Sequence, residues 1–156
     1  MKIFIGSDHA GLELKEKIIK YLDKMDFVYH DLGPKSFDPL DDYPDFIIPV
    51  AKKVAENPNE KRGIVIGGSG QGEAIVANKV KGIRAVVYYG GSLDIVRLSR
   101  THNDSNILSL GARFLTEDEA IKAVEVWLET PFSNEERHKK RIKKIEVFEK
   151  NEMSKL

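Results

Sequence analysis

The sequence contains no cysteine among its 156 residues. Disulfide bonds, thiolate nucleophiles and cysteine metal sites are therefore excluded together. No apolar run approaches the ~20 residues that a membrane-spanning helix needs. Net charge is also missing, because 25 basic residues balance 25 acidic ones. The chain as a whole thus has no field that would draw it to nucleic acid or to a membrane.

The start of the chain gives no sign of a targeting segment. Met1-Lys2-Ile3 opens a strand pattern directly, which leaves no room for a signal peptide and predicts a cytoplasmic protein. A length of 156 residues is typical of one domain. Because neither a linker nor a repeat interrupts the chain, we expect a single domain over 1–156.

Short apolar runs alternate with amphipathic stretches along the chain. The apolar runs predict strands over Lys2–Gly6, Val28–Asp31, Gly63–Ile66, Ala85–Tyr88 and Ile107–Leu110. The amphipathic stretches predict helices over Gly11–Lys24, Phe46–Ala55, Glu73–Val80, Ser92–Arg100 and Glu117–Glu129. Such alternation predicts an α/β protein, in which helices cover both faces of a five-stranded parallel sheet. A highly charged C-terminal helix is expected over 133–150.

A glycine-rich segment, Gly67-Gly68-Ser69-Gly70-Gln71-Gly72-Glu73, joins the third strand to the next helix. Four glycines in six positions allow the backbone amides to approach a ligand, with a helix N-terminus behind them. Glu73 places a carboxylate beside these donors. An enzyme needs this combination to remove a proton from carbon while an oxyanion develops. The alternative is a tight turn in which Glu73 only caps the helix.

Two better-known glycine motifs do not fit this segment. The phosphate-binding P-loop ends in Gly-Lys-Ser/Thr, whereas this segment continues as Gly72-Glu73-Ala74. The dinucleotide fingerprint requires a third glycine where Glu73 stands, and it belongs after the first strand. ATP and NAD are therefore weak alternatives as ligands.

Further chemically active side chains follow other strands. In a parallel sheet, ligands bind beyond the carboxyl ends of the strands, where the strand order reverses. If the order is 2-1-3-4-5, that crevice is flanked by the loops after strands one and three. The same edge then carries the following residues: Asp8, His9, Tyr43, Asp45 and Arg113.

His102-Asn103 falls on the opposite edge of the predicted sheet, because it follows a helix and precedes the fifth strand. A five-residue strand is about 17 Å long, so His102 is too far away to reach the crevice of its own subunit. From the residues alone, this segment is interpreted as the C-terminal cap of a helix. The basic cluster 137–141 leaves three interpretations open: a solvated face, an anion site or a nucleic-acid patch.

Seven segments in the same order resemble the ribose-5-phosphate isomerase B family, which includes the subunits of galactose-6-phosphate isomerase. The resemblance covers about residues 2–150. The segments are Gly6-Ser7-Asp8-His9-Ala10-Gly11, Asp42-Tyr43-Pro44-Asp45, Gly67-Gly68-Ser69-Gly70-Gln71-Gly72-Glu73, Ala77-Asn78-Lys79, Gly82-Ile83-Arg84-Ala85, Arg100-Thr101-His102-Asn103-Asp104 and Arg137-His138-Lys139-Lys140-Arg141.

The resemblance implies a Rossmann-like three-layer sandwich and an enzyme of the pentose phosphate pathway. Such an enzyme interconverts ribose 5-phosphate and ribulose 5-phosphate without a metal or organic cofactor. A six-carbon sugar phosphate, such as allose or galactose 6-phosphate, is the alternative substrate. The resemblance further implies a homodimer or homotetramer whose active sites lie between two subunits, with neither nucleic acid nor membrane as a partner. His102 is then expected to serve a neighbouring subunit.

Roles for individual residues are also implied by the resemblance. Glu73 corresponds to the base that moves a proton between C1 and C2, while Ser69 and the amides of Gly68–Gly72, including Gly70 and Gln71, hold the oxyanion. His102 opens the furanose ring with support from Asp8. The other substrate-binding positions are His9, Tyr43, Asn103, Arg113, Arg137 and Arg141, of which His9, Arg137 and Arg141 bind the phosphate. One branch of the family uses a cysteine base where this chain has Gly67.

A non-catalytic module that binds a mononucleotide or a phosphorylated effector is the alternative from a different functional class. The glycine segment and the basic helix would suit such a binding module as well as they suit an enzyme. Glu73 distinguishes the two classes, because a carboxylate beside a bound phosphate repels it and is useful only for chemistry. The four histidines, His9, His30, His102 and His138, are dispersed, and no pair has the spacing of a zinc site. No metal is therefore expected.

Overall fold

The structure of the protein, a computed structural model, describes residues 1–153. One parallel sheet contains the strands β1 (Lys2–Ser7), β2 (Tyr29–Asp31), β3 (Lys61–Gly67), β4 (Ala85–Tyr88) and β5 (Ile107–Gly111). The helices are α1 (Leu12–Lys24), α2 (Tyr43–Ala55), α3 (Gln71–Ala77), α4 (Asp94–Asn103), α5 (Glu117–Glu129) and α6 (Glu136–Met153). The predicted α/β class and the five parallel strands are confirmed. The C-terminal helix begins at Glu136 and not at residue 133.

Alternating side chains on the strands build two apolar cores, one on each face of the sheet. On β1, Ile3 and Ile5 contribute to one core and Phe4 to the other, as the period of two in a strand requires. Helices α1, α4 and α5 cover the first face, whereas α2 and α3 cover the second. The sheet is thus the middle of three layers, as the resemblance implied.

The strand order is β2-β1-β3-β5-β4, so the expected order 2-1-3-4-5 is wrong for the last two strands. Strand β5 pairs with β3 from Gly63↔Ile107 to Gly67↔Gly111, and β4 pairs with the other side of β5. Burial explains the exchange. All five residues of β5 are buried, whereas three of the four residues of β4 are only half-buried, as an edge position allows.

The exchange of β4 and β5 does not move the point at which the strand order reverses, which lies between β1 and β3. There the loop after β1 lies against the end of β3, since the Asp8 amide donates to the Ile66 carbonyl oxygen at 3.2 Å. A β-carbon at Gly11 would collide with the same carbonyl group. The close approach of these two loops therefore depends on glycine. Along residues 1–153, no helix combines the length and the apolar character that a bilayer crossing requires.

Candidate active site

Glu73 lies in the first turn of α3, beyond the carboxyl end of β3, and only 4% of its surface is exposed. Its carboxylate occupies the space beside the α-carbon of Gly67, where any β-carbon would overlap it. Burial raises the pKa of Glu73, and the negative charge of Asp8 raises it further, although a backbone hydrogen bond opposes the shift. A desolvated carboxylate with a raised pKa is a stronger base than an exposed one.

The glycine segment is held in a turn beside this carboxylate. Gly70 has a left-handed backbone with φ +77°, and its carbonyl oxygen accepts a hydrogen bond from Ser109 Oγ at 2.6 Å. The Gln71 amide donates to Ser69 Oγ at 3.3 Å. Within residues 1–153, the amides of Ser69, Gly70 and Gly72 donate to no protein group. These donors are therefore free to bind an oxyanion.

Asp8 and His9 lie on the loop after β1, next to Glu73. Asp8 is buried, and its Oδ1 accepts the Gly11 amide at 3.0 Å. His9 Nδ1 lies 2.6 Å from Asp41 Oδ1, which also accepts the His9 amide at 3.1 Å. The hydrogen bond to Asp41 raises the pKa of His9 against the opposing effect of burial, and the charges of Asp8 and Asp41 add to the rise. His9 is thus favoured as a cation, the form that binds phosphate.

Asp41 was not identified from the sequence. It lies in the proline-containing connection between β2 and α2, 32 positions away from His9. Nothing in that connection marks Asp41 apart from its neighbours Asp38 and Asp42. Only the folded loop brings its carboxylate onto His9, so no local pattern would have found it.

Asp8, His9 and Asp41 are also the one group among residues 1–153 whose ligand atoms converge as in a metal site, all lying within 4.8 Å of one another. Three of their atoms already have partners, whereas Asp41 Oδ2 is buried without a hydrogen-bond partner among residues 1–153. His9 Nδ1 and Asp41 Oδ1 bind each other, and Asp8 Oδ1 accepts an amide. The prediction that no metal is required remains part of the proposal below.

Two further side chains, Tyr43 and Arg113, pack against the glycine segment. A β-carbon at Gly68 would lie 3.1 Å from Arg113 Nη1, and one at Gly72 would lie 2.8 Å from the Tyr43 ring. The Arg113 amide donates to the Gly68 carbonyl oxygen at 3.0 Å. The observed position of β5 beside β3 explains this contact, because it puts the loop after β5 next to the glycine segment.

A second group of predicted residues lies around the C-terminal end of α4. His102 is in its last turn and stacks on His138 of α6, with ring centroids 4.2 Å apart. Asn103 and Arg141 line one cavity of about 450 Å³ between α6 and β4. Arg137 Nε lies 2.7 Å from Glu135 Oε2. His102 is not itself the cap of α4, because Asp104 fills that position with φ +45°.

The two groups lie at opposite edges of the sheet. Glu73 follows the carboxyl end of β3, whereas His102 precedes the amino end of β5. Because β3 and β5 are parallel and in register over five residue pairs, the length of a strand, about 17 Å, separates them. One chain therefore brings together Asp8, His9, Tyr43, Gly68, Ser69, Gly70, Gln71, Gly72, Glu73 and Arg113. It holds His102, Asn103, Arg137 and Arg141 apart from them.

A buried base, free amide donors and a cationic loop at the carboxyl edge of a parallel sheet are features of an enzyme that acts on a small phosphorylated substrate. Comparison with known proteins agrees with this class. The chain matches the family described as Ribose/Galactose Isomerase over residues 3–145, and it belongs to that family.

Individual relatives are similar along nearly their whole length. A probable ribose-5-phosphate isomerase B of Mycoplasma pneumoniae is 43% identical, and the match covers 95% of both chains. The crystal structure of ribose-5-phosphate isomerase B from Mycoplasma genitalium with bound ribulose-5-phosphate is 45% identical, with a TM-score of 0.91 over 96% of both chains. The enzyme from Clostridium thermocellum is 44% identical, with a TM-score of 0.89 over 97% of this chain and 99% of that one.

Proposed function

We propose that the protein is an aldose–ketose isomerase that interconverts D-ribose 5-phosphate and D-ribulose 5-phosphate. The buried Glu73 carboxylate beside the unbonded amides of the glycine segment carries this conclusion. Two relatives support the choice of substrate, because one is a ribose-5-phosphate isomerase B with bound ribulose-5-phosphate and the other is named a probable ribose-5-phosphate isomerase B. A module that only binds an effector would have no use for a carboxylate there.

In the proposed reaction, the Glu73 carboxylate removes the proton from C2 of the open-chain aldose. The electron pair of the C2–H bond forms a C1=C2 double bond, and the aldehyde oxygen becomes an enediolate oxyanion. Ser69 and the amides of the segment from Gly68 to Gly72 stabilise that charge. Glu73 then returns the proton to C1 while the C2 hydroxyl proton moves to O1, which gives the ketose.

The remaining proposed roles are divided between the side chains around Glu73 and those around His102. His102 opens the furanose ring by proton transfer at the ring oxygen, and Asp8 supports this step. The cation on His9 binds the phosphate together with Arg137 and Arg141, since guanidinium groups suit phosphate oxygens. The other lining side chains are Tyr43, Asn103 and Arg113. The proposed chemistry requires neither a metal nor an organic cofactor, so activity is expected to persist after treatment with a chelator.

The separation of the two groups leads us to propose a homodimer or homotetramer in which each site takes one group from each of two subunits. Three apolar side chains near the edge strand β4 favour such contact, because Tyr89, Ile95 and Leu98 are 54%, 60% and 43% exposed. An exposed apolar patch beside an unpaired strand edge is a typical site for association. The cytoplasmic location expected from the sequence belongs to the same proposal.

A six-carbon sugar phosphate is the second candidate substrate, because the family description includes galactose. Measurement of kcat/KM on ribose 5-phosphate, allose 6-phosphate and galactose 6-phosphate separates the candidates. We expect ribose 5-phosphate to give the highest value. A preference for a hexose phosphate would replace the proposed substrate, and a failure to isomerise any of the three would overturn the proposed function itself.

A further inference from the structure

His138 is a buried imidazole for which the proposed reaction has no role. It lies in the first turns of α6, where 1% of its surface is exposed. Its ring stacks on that of His102, with centroids 4.2 Å apart and planes inclined by 15°. This contact joins the start of α6 to the end of α4. One face of the proposed ring-opening histidine is therefore covered by a second flat ring.

The surroundings of His138 are unusual for a histidine that only fills space. Both of its ring nitrogens are buried, and neither has a hydrogen-bond partner within residues 1–153. The nearest carboxylate oxygen, Glu135 Oε2, is 3.8 Å from Nε2. Buried polar atoms without partners are unfavourable, so packing alone would be better served by an apolar side chain.

Burial and the neighbouring charges favour the neutral form of His138. Burial lowers the pKa of His138 most, and the neighbouring His102, Arg137 and Arg141 lower it further, while only Glu135 opposes them. A neutral ring can lie against His102 in either protonation state of His102 without charge repulsion. A lysine or arginine at the same place would disfavour the protonated state.

His102 lacks the usual means of fixing a catalytic histidine. Such rings are commonly oriented by a hydrogen bond from one nitrogen to a carboxylate or a carbonyl group. Within the described part of the chain, the His102 ring makes no hydrogen bond, and the stack on His138 is its one ring contact. Without the stack on His138, the His102 side chain could rotate about its own torsions, because it lies at the half-exposed end of α4.

We propose that His138 is a positioning residue for His102: its flat ring, stacked on that of His102, sets the plane of the His102 imidazole for proton transfer at the furanose ring oxygen. The inference rests on the proposed function, because it assumes that His102 opens the ring. It predicts an effect on one direction of the reaction only. Ribose 5-phosphate closes through O4, whereas in ribulose 5-phosphate the O5 that would close the ring carries the phosphate.

The test compares three variants at position 138 in both directions. His138→Ala and His138→Leu remove the flat ring, and we expect each to lower kcat on ribose 5-phosphate roughly 10-fold, the lower end for loss of an orienting partner. The rate on ribulose 5-phosphate and both KM values should change little. His138→Phe keeps a flat ring without buried nitrogens and should retain the wild-type rate ratio. Because leucine fills the space without being flat, His138→Leu separates orientation from packing.

A double-mutant cycle with His102→Ala supplies the second readout. If His138 acts through His102, His138→Leu should cause no further loss once His102 is absent. The inference would be overturned if His138→Leu lowered kcat further in the His102→Ala background. It would also be overturned if His138→Leu alone lowered kcat equally on ribose 5-phosphate and on ribulose 5-phosphate. Thermal unfolding of each variant identifies effects on stability. A wild-type protein without isomerase activity would instead overturn the proposed function, so the two failures are distinguishable.

Discussion

The carboxylate of Glu73 fills the space that a side chain on Gly67 would need. A β-carbon built on Gly67 overlaps the carboxyl group of Glu73, although six positions separate the two residues in the chain. The end of β3 and the first turn of α3 thus approach so closely that only one of the two positions can carry a side chain there. The cysteine base implied for one branch of the family at position 67 and a glutamate at position 73 would compete for one volume.

Gly67→Ala is expected to displace the carboxylate of Glu73 and to lower kcat by about 10²-fold, since a base misplaced by about 1 Å costs that much. The added methyl group should also destabilise the fold by about 1–3 kcal/mol through overpacking. Steady-state kinetics and thermal unfolding measure the two effects. If Gly67→Ala changed neither kcat nor the free energy of unfolding, the Glu73 carboxylate would have to be free to move elsewhere.

The matched control for Gly67→Ala is the same substitution in a Glu73→Ala background. With the carboxylate gone, the new methyl group has room, so most of its cost in unfolding free energy should disappear. A cost that persists would point to a clash with another group. The combination of Gly67→Cys with Glu73→Ala further tests whether a thiol in this volume restores proton transfer.

Glu73→Gln should lower kcat by about 10²–10⁴-fold, the usual effect of losing a general base, and leave KM nearly unchanged. Glutamine keeps the shape of the side chain but cannot accept the proton. Because the substitution also removes a charge that burial disfavours, we expect the melting temperature at neutral pH to rise. Near-normal turnover by this variant would disprove the assignment of the base.

The raised pKa of Glu73 predicts the acid limb of the pH profile. Only the carboxylate form accepts a proton, so kcat/KM falls as the pH drops through the pKa of Glu73, which lies above its ordinary value of 4.5. Asp8→Asn removes a negative charge that raises this pKa and should shift the limb to lower pH, whatever it does to the maximal rate. Asp94→Asn, an exposed acid on α4, serves as the control and should leave the limb in place.

Asp41→Asn should weaken substrate binding at the alkaline end of the pH range. The hydrogen bond that the His9 ring donates to the Asp41 carboxylate raises the pKa of His9, and its loss lets His9 become neutral at a lower pH. KM should therefore begin to rise at lower pH in the variant than in the wild type. Asp38→Asn is the matched control, because Asp38 lies in the same connection and its carboxylate accepts the Leu40 amide and makes no bond to His9. Equal effects of both substitutions would point to the loop as a whole.

The sequence was sufficient to predict those features that a local pattern determines. Apolar periodicity located all five strands, and the glycine segment predicted Glu73 as a candidate base, an assignment that its burial supports. The exchange of β4 and β5 was not predictable, because both are short apolar runs and only long-range packing decides which one is central. Asp41 and His138 were not identified for a similar reason, since only a contact across the fold distinguishes each of them.

The strongest test of a shared site mixes two inactive variants. Under the proposed assembly, Glu73 and His102 of one site come from different subunits, so a heterodimer of Glu73→Gln and His102→Ala collects both lesions in one site and leaves the other intact. Random reassembly makes about half of the dimers mixed, and one of their two sites works. Activity on ribose 5-phosphate should therefore recover to about a quarter of the wild-type value, by counting under twofold symmetry.

The control for this mixing experiment uses two residues from the same edge of one chain. Asp8 and Glu73 lie beside the same loop, so every site in a mixed dimer of Asp8→Asn and Glu73→Gln carries one lesion, and the activity should not exceed the mean of the two parent variants. Ribose 5-phosphate must be the substrate, because His102 is needed only when a furanose ring has to open. If His102→Ala and Glu73→Gln also fail to rescue each other, both residues serve the same subunit's site. The separation of about 17 Å across the sheet would then have to be closed by movement within one chain.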